Sequence, residues 1–211
     1  LNKLIYDGLF TFNGSLEAVG DLAESYEYES GGGSLRIRLK NGITWQDGNA
    51  FTAEDVKFTI DAYKSVPSGQ QGSYGAFIDL IKSAKVLDEL TVQIQFIDPS
   101  NAALENLMFP ILPAHKHRRP GDLAKDSAQF IPMGTGPYFI SNIEAGKQIT
   151  LSGNPSYRGT VPENTLVFKF MPNKEEAVNL FDIGEVNLAF LRAINRNTLV
   201  EDKVVKMVSF P

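Results

Sequence analysis

The stretch Ser34–Lys64, SLRIRLKNGITWQDGNAFTAEDVKFTIDAYK, predicts a strand, a turn-rich loop and a helix. From Leu35 to Lys40, leucine and isoleucine alternate with arginine and lysine, the period of a strand with one buried face. Asn41-Gly42 and Asp47-Gly48 are turn dipeptides, and Trp45, the only tryptophan, lies between them. We therefore expect Trp45 to anchor the loop.

The helix is predicted to begin after Thr52, which is suited to the N-cap position, with Asp55 as the third helical residue of a capping box. Glu54 and Asp55 in the first turn suit the helix dipole, so capping explains both acids without a catalytic role. The apolar residues that follow are spaced as one helical face: Val56, Ile60 and Tyr63.

Composition excludes several classes of protein. The 211 residues carry a net charge of −5 without a basic block, which argues against nucleic acid as a partner. The absence of cysteine excludes disulfides and thiolate metal sites. No run of eighteen apolar residues occurs, so no membrane span is predicted. The first and last residues fall within apparent structural elements, and we expect an excised fragment that lacks both natural ends.

Five ordered motifs resemble those of the family 5 extracellular solute-binding proteins, the peptide, oligosaccharide and nickel receptors of ABC importers. In the opening stretch, Asp47-Gly48, Thr52–Val56 and Phe58 match the family signature in order and spacing. The other motifs are Leu4–Leu9 (LIYDGL), Leu22–Glu27 (LAESYE, with Tyr26 where tryptophan is usual), Gly134–Tyr138 (GTGPY) and Asn154–Tyr157 (NPSY), and Gly184–Leu188 (GEVNL) is a looser match.

The resemblance implies a mixed α/β fold, namely the first lobe of a type II periplasmic-binding-protein-like fold. Residues 1–15 and 131–211 would form the main subdomain, a mixed sheet with helices, and residues 16–130 an inserted smaller α/β subdomain. A second ligand-binding lobe would follow Pro211. Patterning further predicts a short helix over Ala102–Met108, weak helix over Ile194–Val200 and a strand over Val204–Phe210.

The function implied by the resemblance is binding without catalysis and without a cofactor. The protein would capture a peptide or similar small solute between two lobes that close like a hinge, and deliver it to a membrane permease. It would be a monomer, periplasmic or held at the cell surface by a lipid anchor in the full-length protein. Two alternatives stay open: a ligand-sensing domain of a regulator, and a metal-dependent enzyme that uses His115 and His117.

Four aromatic residues are candidates for the ligand cleft. Tyr74 lies on the glycine-rich loop Pro67–Gly75, where a functional side chain often occurs. The resemblance implies a cleft role for Tyr74, because several relatives carry an aromatic residue at about this place that lines the cleft, although core packing or plain exposure would also explain it. Phe77, Tyr6 and Phe10 are weaker candidates of the same kind.

Other motifs that suggest chemistry have simpler explanations. His115 and His117 lie in a basic loop with no carboxylate in the same segment, so a solvated loop is favoured over a metal site. Gly134-Thr135-Gly136-Pro137 is not a phosphate loop, because proline removes a donor where phosphate would need one. No G-x-S-x-G elbow is present, and no catalytic residue is predicted.

Overall fold

The computed structural model describes residues 1–117, 119–122 and 131–188. The chain divides into two units, of which unit 1 comprises residues 1–143 and 150–166, and unit 2 comprises residues 144–149 and 167–211. The subdomain boundaries predicted at residues 15 and 130 rest on the family resemblance and stay a prediction. The strand and weak helix predicted beyond residue 193 lie outside the described residues.

The described helices and strands have the following bounds. The helices are α1 (Asn2–Ile5), α2 (Ala53–Ser65), α3 (Gly75–Ile78) and α4 (Lys174–Asp182). The strands are β1 (Phe10–Phe12), β2 (Ala18–Gly20), β3 (Ala23–Glu29), β4 (Ser34–Leu39), β5 (Ile81–Asp88), β6 (Thr91–Phe96), β7 (Tyr138–Glu144), β8 (Gln148–Gly153) and β9 (Leu166–Lys169). Short 3₁₀ turns cover Ser30–Gly32, Gly72–Tyr74, Pro99–Asn101, Leu104–Leu107, Ala114–Lys116 and Pro120–Asp122. None of the described helices is long and apolar enough to cross a membrane.

A four-stranded antiparallel sheet forms the centre of unit 1, in the order β3-β4-β6-β5. The alternation predicted for β4 is confirmed, since its apolar side chains are buried and its arginines are exposed. Leu35 pairs with Ile94 and Ile37 with Val92, so both strands present apolar residues to one face. Each side chain buried there stabilises the fold by about 1.5–3 kcal/mol.

The loop between β4 and α2 is anchored as predicted. Trp45 is fully buried and packs edge-on against Phe51, with ring centroids 6.0 Å apart. Its indole Nε1 donates to Asp55 Oδ2 over 3.3 Å. The same carboxylate oxygen accepts a hydrogen bond from the backbone N–H of Thr52 over 2.9 Å, which completes the predicted capping box of α2.

Asp55 does more than cap the helix, which corrects the interpretation from sequence. Only 3% of the residue is exposed, and its second oxygen, Oδ1, accepts from the backbone N–H of Ala114 over 2.8 Å. One carboxylate therefore joins the start of α2, the Trp45 loop and a segment 59 residues further along the chain.

The helix predicted over Ala102–Met108 is wrong in type and bounds. Two 3₁₀ turns, Pro99–Asn101 and Leu104–Leu107, occupy this region. Asp98 does act as a cap, because its Oδ1 accepts from the Ser100 N–H over 2.9 Å. Ala102 then adopts φ −78° and ψ 40°, outside the helical region, so the two turns cannot merge.

The three strands β7, β8 and β9 pair in this order. Within unit 2, the N–H of Phe170 donates to the Lys147 carbonyl oxygen over 2.7 Å. The helix α4 begins after Asn173, whose Oδ1 accepts from the Glu176 N–H over 2.8 Å.

Candidate functional site

A cavity of about 220 Å³ lies in unit 1, and aromatic and charged side chains line it. The aromatic lining residues are Tyr6, Phe10, Tyr74 and Tyr157, and the charged ones are Lys3, Asp7, Asp21 and Arg158. Ligand sites commonly combine an apolar lining with a few convergent polar groups. This cavity is therefore the candidate binding site of unit 1.

Two elements position the aromatic rings. Tyr6 directly follows α1, and burial raises the pKa of its hydroxyl, which keeps the group neutral. Tyr74 ends the 3₁₀ turn Gly72–Tyr74 and contacts the ring of Tyr63 in α2 edge-on, with centroids 6.3 Å apart.

The loop that carries Tyr74 is tied down by Asp79. The Asp79 carboxylate accepts from Ser68 Oγ over 2.5 Å and from Gln71 Nε2 over 3.2 Å. These hydrogen bonds lower the pKa of Asp79, so the carboxylate keeps its charge. The loop Pro67–Gly75 is rich in glycine, but these two hydrogen bonds hold it at Ser68 and at Gln71, before Tyr74.

The charged residues of the cavity form one network. Arg158 Nη1 donates to Asp7 Oδ2 over 2.5 Å, and Nη2 donates to Asp21 Oδ1. Thr135 Oγ1 also donates to Asp7 Oδ2, over 2.9 Å. Burial opposes the charge on Arg158, but the hydrogen bond to Asp7 and the two carboxylate charges raise the pKa of the guanidinium overall. Arg158 therefore keeps its positive charge at neutral pH.

The GTGPY motif, Gly134–Tyr138, positions Thr135, which belongs to this network. Its chain passes so close to the end of α1 that an added Cβ at Gly134 would lie 1.8 Å from the Ile5 carbonyl oxygen. A Cβ at Gly136 would lie 2.8 Å from the same atom, and the Gly136 N–H donates to it over 2.9 Å. Glycine is required at both positions because only a backbone without Cβ can approach so closely. The crossing brings Thr135 to Asp7.

Asn154 connects the motif to Arg158. Its Nδ2 donates to the Gly136 carbonyl over 2.8 Å, and its backbone N–H donates to the Pro137 carbonyl over 2.8 Å. Asn154 is fully buried and follows β8 directly. These bonds fix the turn that leads to Tyr157 and Arg158 at the edge of the cavity.

Comparison with known proteins identifies the family. The family model described as bacterial extracellular solute-binding proteins, family 5 Middle, matches residues 17–211. The chain belongs to this family. The resemblance predicted from the five motifs is confirmed, and the family is one of binding proteins rather than of enzymes.

Relatives of the family 5 chain include binding proteins for different solutes. A Brucella ovis protein, provisionally named as an ABC transporter peptide-binding protein, is 30% identical over 210 residues, 96% of this chain and 39% of its own length. The glutathione-binding protein GsiB of Escherichia coli is 26% identical over 99% of this chain and 41% of its own. The chain thus spans about two fifths of the length of the curated relatives it matches.

Solved structures confirm the mixed α/β fold. NikZ of Campylobacter jejuni, in complex with Ni(L-His), is 29% identical with a TM-score of 0.77, over 87% of this chain and 37% of that one. The oligopeptide-binding protein AppA of Bacillus subtilis, in complex with a nonapeptide, is 25% identical with a TM-score of 0.75, over 87% and 37% of the two chains. Most of this chain therefore shares its fold with part of proteins solved with different ligands.

Three of the four predicted cleft residues of this family 5 chain line the cavity, namely Tyr6, Phe10 and Tyr74. Phe77 does not line it and is 37% exposed. Their role in binding stays a prediction. Asp7, Asp21 and Arg158 also line the cavity, and the sequence did not predict them as site residues. The one available signal was that each stands beside a glycine at the edge of a turn: Asp7-Gly8, Gly20-Asp21 and Arg158-Gly159.

The two histidines are packed against other elements. His115 is exposed, as predicted, but its Nε2 lies 2.9 Å from Asp47 Oδ2. The ring of His117 stacks on Phe58, with centroids 5.4 Å apart. Asp47 lies 68 residues before His115, so the sequence around His115 could not reveal this contact. Within the described part of the chain, no three histidine, aspartate or glutamate side chains form a metal-binding group.

Asp47 is expected to stabilise the chain through this contact in a pH-dependent way. Burial opposes its charge, but hydrogen bonds from Lys116 and His115 prevail and hold the pKa of Asp47 well below its usual range. Asp47→Asn should lower the free energy of unfolding by about 1 kcal/mol at pH 7. Because the folded-state pKa is depressed, this difference should shrink as the pH falls below about 4.

Urea unfolding at pH 7 and pH 3.5 measures the effect of Asp47→Asn, with the exposed Glu163→Gln as a control that should change nothing. A penalty that grows on acidification would contradict the assignment.

Proposed function

We propose that the chain forms one side of the solute-binding cleft of an ABC importer receptor, with the cavity as its contribution to the ligand site. The observation that carries the proposal is the convergence of Tyr6, Phe10 and Tyr74 on one cavity in unit 1. Membership of a family of solute-binding proteins supports it. Aromatic rings supply contact area at low entropic cost, and their faces suit ligands with apolar and polar parts.

The rest of the receptor would complete the site. Since the chain spans about two fifths of its relatives, a second lobe would close on the ligand from the other side. The closed receptor would release a peptide or similar small solute to a membrane permease outside the cytoplasm, and a lipid anchor would hold it at the cell surface. With half of the contacts missing, the chain alone should bind weakly, with a dissociation constant of about 1 mM.

A titration of the ¹⁵N-labelled chain followed by NMR tests the proposal. Glutathione and a nonapeptide serve as probes, because proteins similar to this chain are named for or solved with them. We expect shifts at the backbone amides of Tyr6, Phe10 and Tyr74, and a loss of affinity of about fivefold for Tyr74→Ala, since one aromatic contact contributes about 1 kcal/mol.

Tyr28→Ala is the matched control for Tyr74→Ala. Tyr28 is a half-exposed tyrosine on β3 and does not line the cavity. Its replacement should leave both the shifts and the affinity unchanged. Shifts that appear only outside the cavity, or an affinity that Tyr74→Ala does not alter, would defeat the proposal.

A further inference from the structure

The chain contains pairs in which asparagine or aspartate precedes glycine, namely Asp7-Gly8, Asn13-Gly14, Asn41-Gly42 and Asp47-Gly48. In such a pair the backbone nitrogen of glycine can attack the side-chain carbonyl carbon and close a five-membered succinimide ring. Glycine favours the attack because it has no Cβ to obstruct the approach. The side chain must also be free to rotate and the attacking N–H free of a hydrogen bond, so the fold decides which pair can react.

Hydrogen bonds hold the two aspartates away from this reaction. Asp7 is buried, and its Oδ2 accepts from Thr135 Oγ1 over 2.9 Å. Asp47 Oδ2 accepts from Lys116 Nζ over 2.8 Å. The N–H of Gly48, which would have to attack Asp47, donates to a backbone carbonyl of the same turn over 2.9 Å. Both carboxylates are therefore restrained.

Three hydrogen bonds fix the side chain of Asn13. Its Oδ1 accepts from the backbone N–H groups of Ser15 and Glu17, each over 2.9 Å, and its Nδ2 donates to Glu17 Oε2 over 2.9 Å. The side chain thus belongs to the turn between β1 and β2, and rotation toward the nitrogen of Gly14 would break these bonds. Each bond that must break adds to the barrier of the reaction.

Asn41 lacks these restraints. It is exposed, and its side chain takes part in no hydrogen bond within residues 1–117, 119–122 and 131–188. The N–H of Gly42 donates to no backbone carbonyl among those residues. Gly42 has a φ of 77°, and nothing lies within 4 Å of a Cβ added there. The side chain and the attacking nitrogen are thus both unrestrained in this pair.

The chain on either side of Asn41-Gly42 is fixed. The Lys40 N–H donates to the Leu22 carbonyl over 2.9 Å, and the Ile43 carbonyl accepts from the Phe51 N–H over 2.9 Å. Ile43 is buried, and it leads directly into the loop before α2. A longer backbone within the pair would therefore strain these hydrogen bonds.

We propose that Asn41 is a site of spontaneous deamidation selected by the fold, and that its isoaspartate product loosens the connection between β4 and α2. The Gly42 nitrogen bonds to Asn41 Cγ, the Cγ–Nδ2 bond breaks, and the amide proton of Gly42 leaves with the ammonia. Water then opens the succinimide at either carbonyl, to give aspartate or isoaspartate. In isoaspartate the backbone runs through Cβ and Cγ and is longer by a carbon atom. Neither residue lines the cavity, so this inference does not depend on the proposed function.

Incubation of the intact chain at mildly alkaline pH, with peptide mass spectrometry at intervals, compares the two asparagines in a single sample. Each reacted peptide gains the mass of water and loses that of ammonia. We expect Asn41 to react at least about tenfold faster than Asn13, because the hydrogen bonds of Asn13 raise its barrier. In concentrated urea the fold is lost, and the two rates should become nearly equal. Glu17→Ala removes the acceptor of Asn13 Nδ2 and should speed only the reaction of Asn13.

Asn41→Gln is the control for the assignment, because glutamine would have to close a six-membered ring and should leave its peptide unchanged over the same period. Equal rates at the two asparagines of the folded chain would overturn the proposal. A difference that persists in urea would overturn it too, since the local sequence would then be the cause. The deamidated chain, separated by its extra negative charge, should have a lower urea midpoint than the unreacted chain. An unchanged midpoint would show that the longer backbone does not loosen the connection.

Discussion

Alanine in place of Gly134 is expected to lower the free energy of unfolding by about 4 kcal/mol or more. The added Cβ would lie 1.8 Å from the oxygen and 2.6 Å from the carbon of the Ile5 carbonyl. Ordinary overpacking of a core costs about 1–3 kcal/mol because side chains rearrange. Here the obstacle is backbone, so relief requires breaking the hydrogen bond from Gly136 to Ile5 and the contact from Thr135 to Asp7.

Urea unfolding followed by tryptophan fluorescence measures the effect of Gly134→Ala, because Trp45 is fully buried in the same unit. Gly14→Ala is the matched control. Nothing lies within 4 Å of an added Cβ at Gly14, and its φ is not positive, so this change should be neutral or stabilise by about 0.5 kcal/mol. If the midpoints of the two variants agree, the close crossing is not what makes glycine necessary.

Local patterning predicted the parts of the fold that local forces decide. The alternation of apolar and basic residues from Leu35 to Leu39 located β4 to within one residue. The capping signals at Thr52 and Asp55 located the start of α2. Each of these depends on neighbours a few residues away. The region from Pro99 to Leu107 failed because its turns are too short for periodicity to separate 3₁₀ from α-helix.

The candidate site was predictable only in its aromatic part. Tyr74 stood out because it lies on a loop rich in glycine, and the resemblance supplied a reason to expect an aromatic residue there. The charged network could not be found in this way. Asp7 and Arg158 are 151 residues apart, and Asp21 and Arg158 are 137 apart, so no window of sequence contains both partners. The GTGPY motif was recognised from the sequence. Glycine is needed at positions 134 and 136 because the backbone there approaches Ile5, and this approach is visible only in the folded structure.

Asp55→Ala is expected to lower the free energy of unfolding by about 3 kcal/mol at pH 7. The carboxylate accepts from the Thr52 N–H, the Ala114 N–H and the Trp45 indole, and alanine would leave all three donors without it. Glu54→Ala is the control, since Glu54 lies next to Asp55 in the same turn of α2 but is exposed. It should change stability by less than about 0.5 kcal/mol. Equal effects of the two substitutions would show that Asp55 acts only as a surface cap.

The pH dependence distinguishes Asp55 from Asp47 by sign. Burial raises the pKa of Asp55 although Thr52, Ala114 and Trp45 donate to it, so the folded state favours the protonated form more than the unfolded state does. Because the pKa of Asp55 is higher in the folded state, protonation of Asp55 adds to the free energy of unfolding. This contribution is fully present below the pKa of the unfolded state and is lost as the pH rises through the pKa of the folded state. The penalty of Asp55→Ala should therefore grow between pH 7 and pH 4, whereas that of Asp47→Asn shrinks below pH 4.

Urea midpoints of wild type and variant at both pH values measure the difference. A penalty for Asp55→Ala that shrinks on acidification would mean that its three hydrogen bonds outweigh the loss of solvation, and that the carboxylate stabilises the fold as an anion.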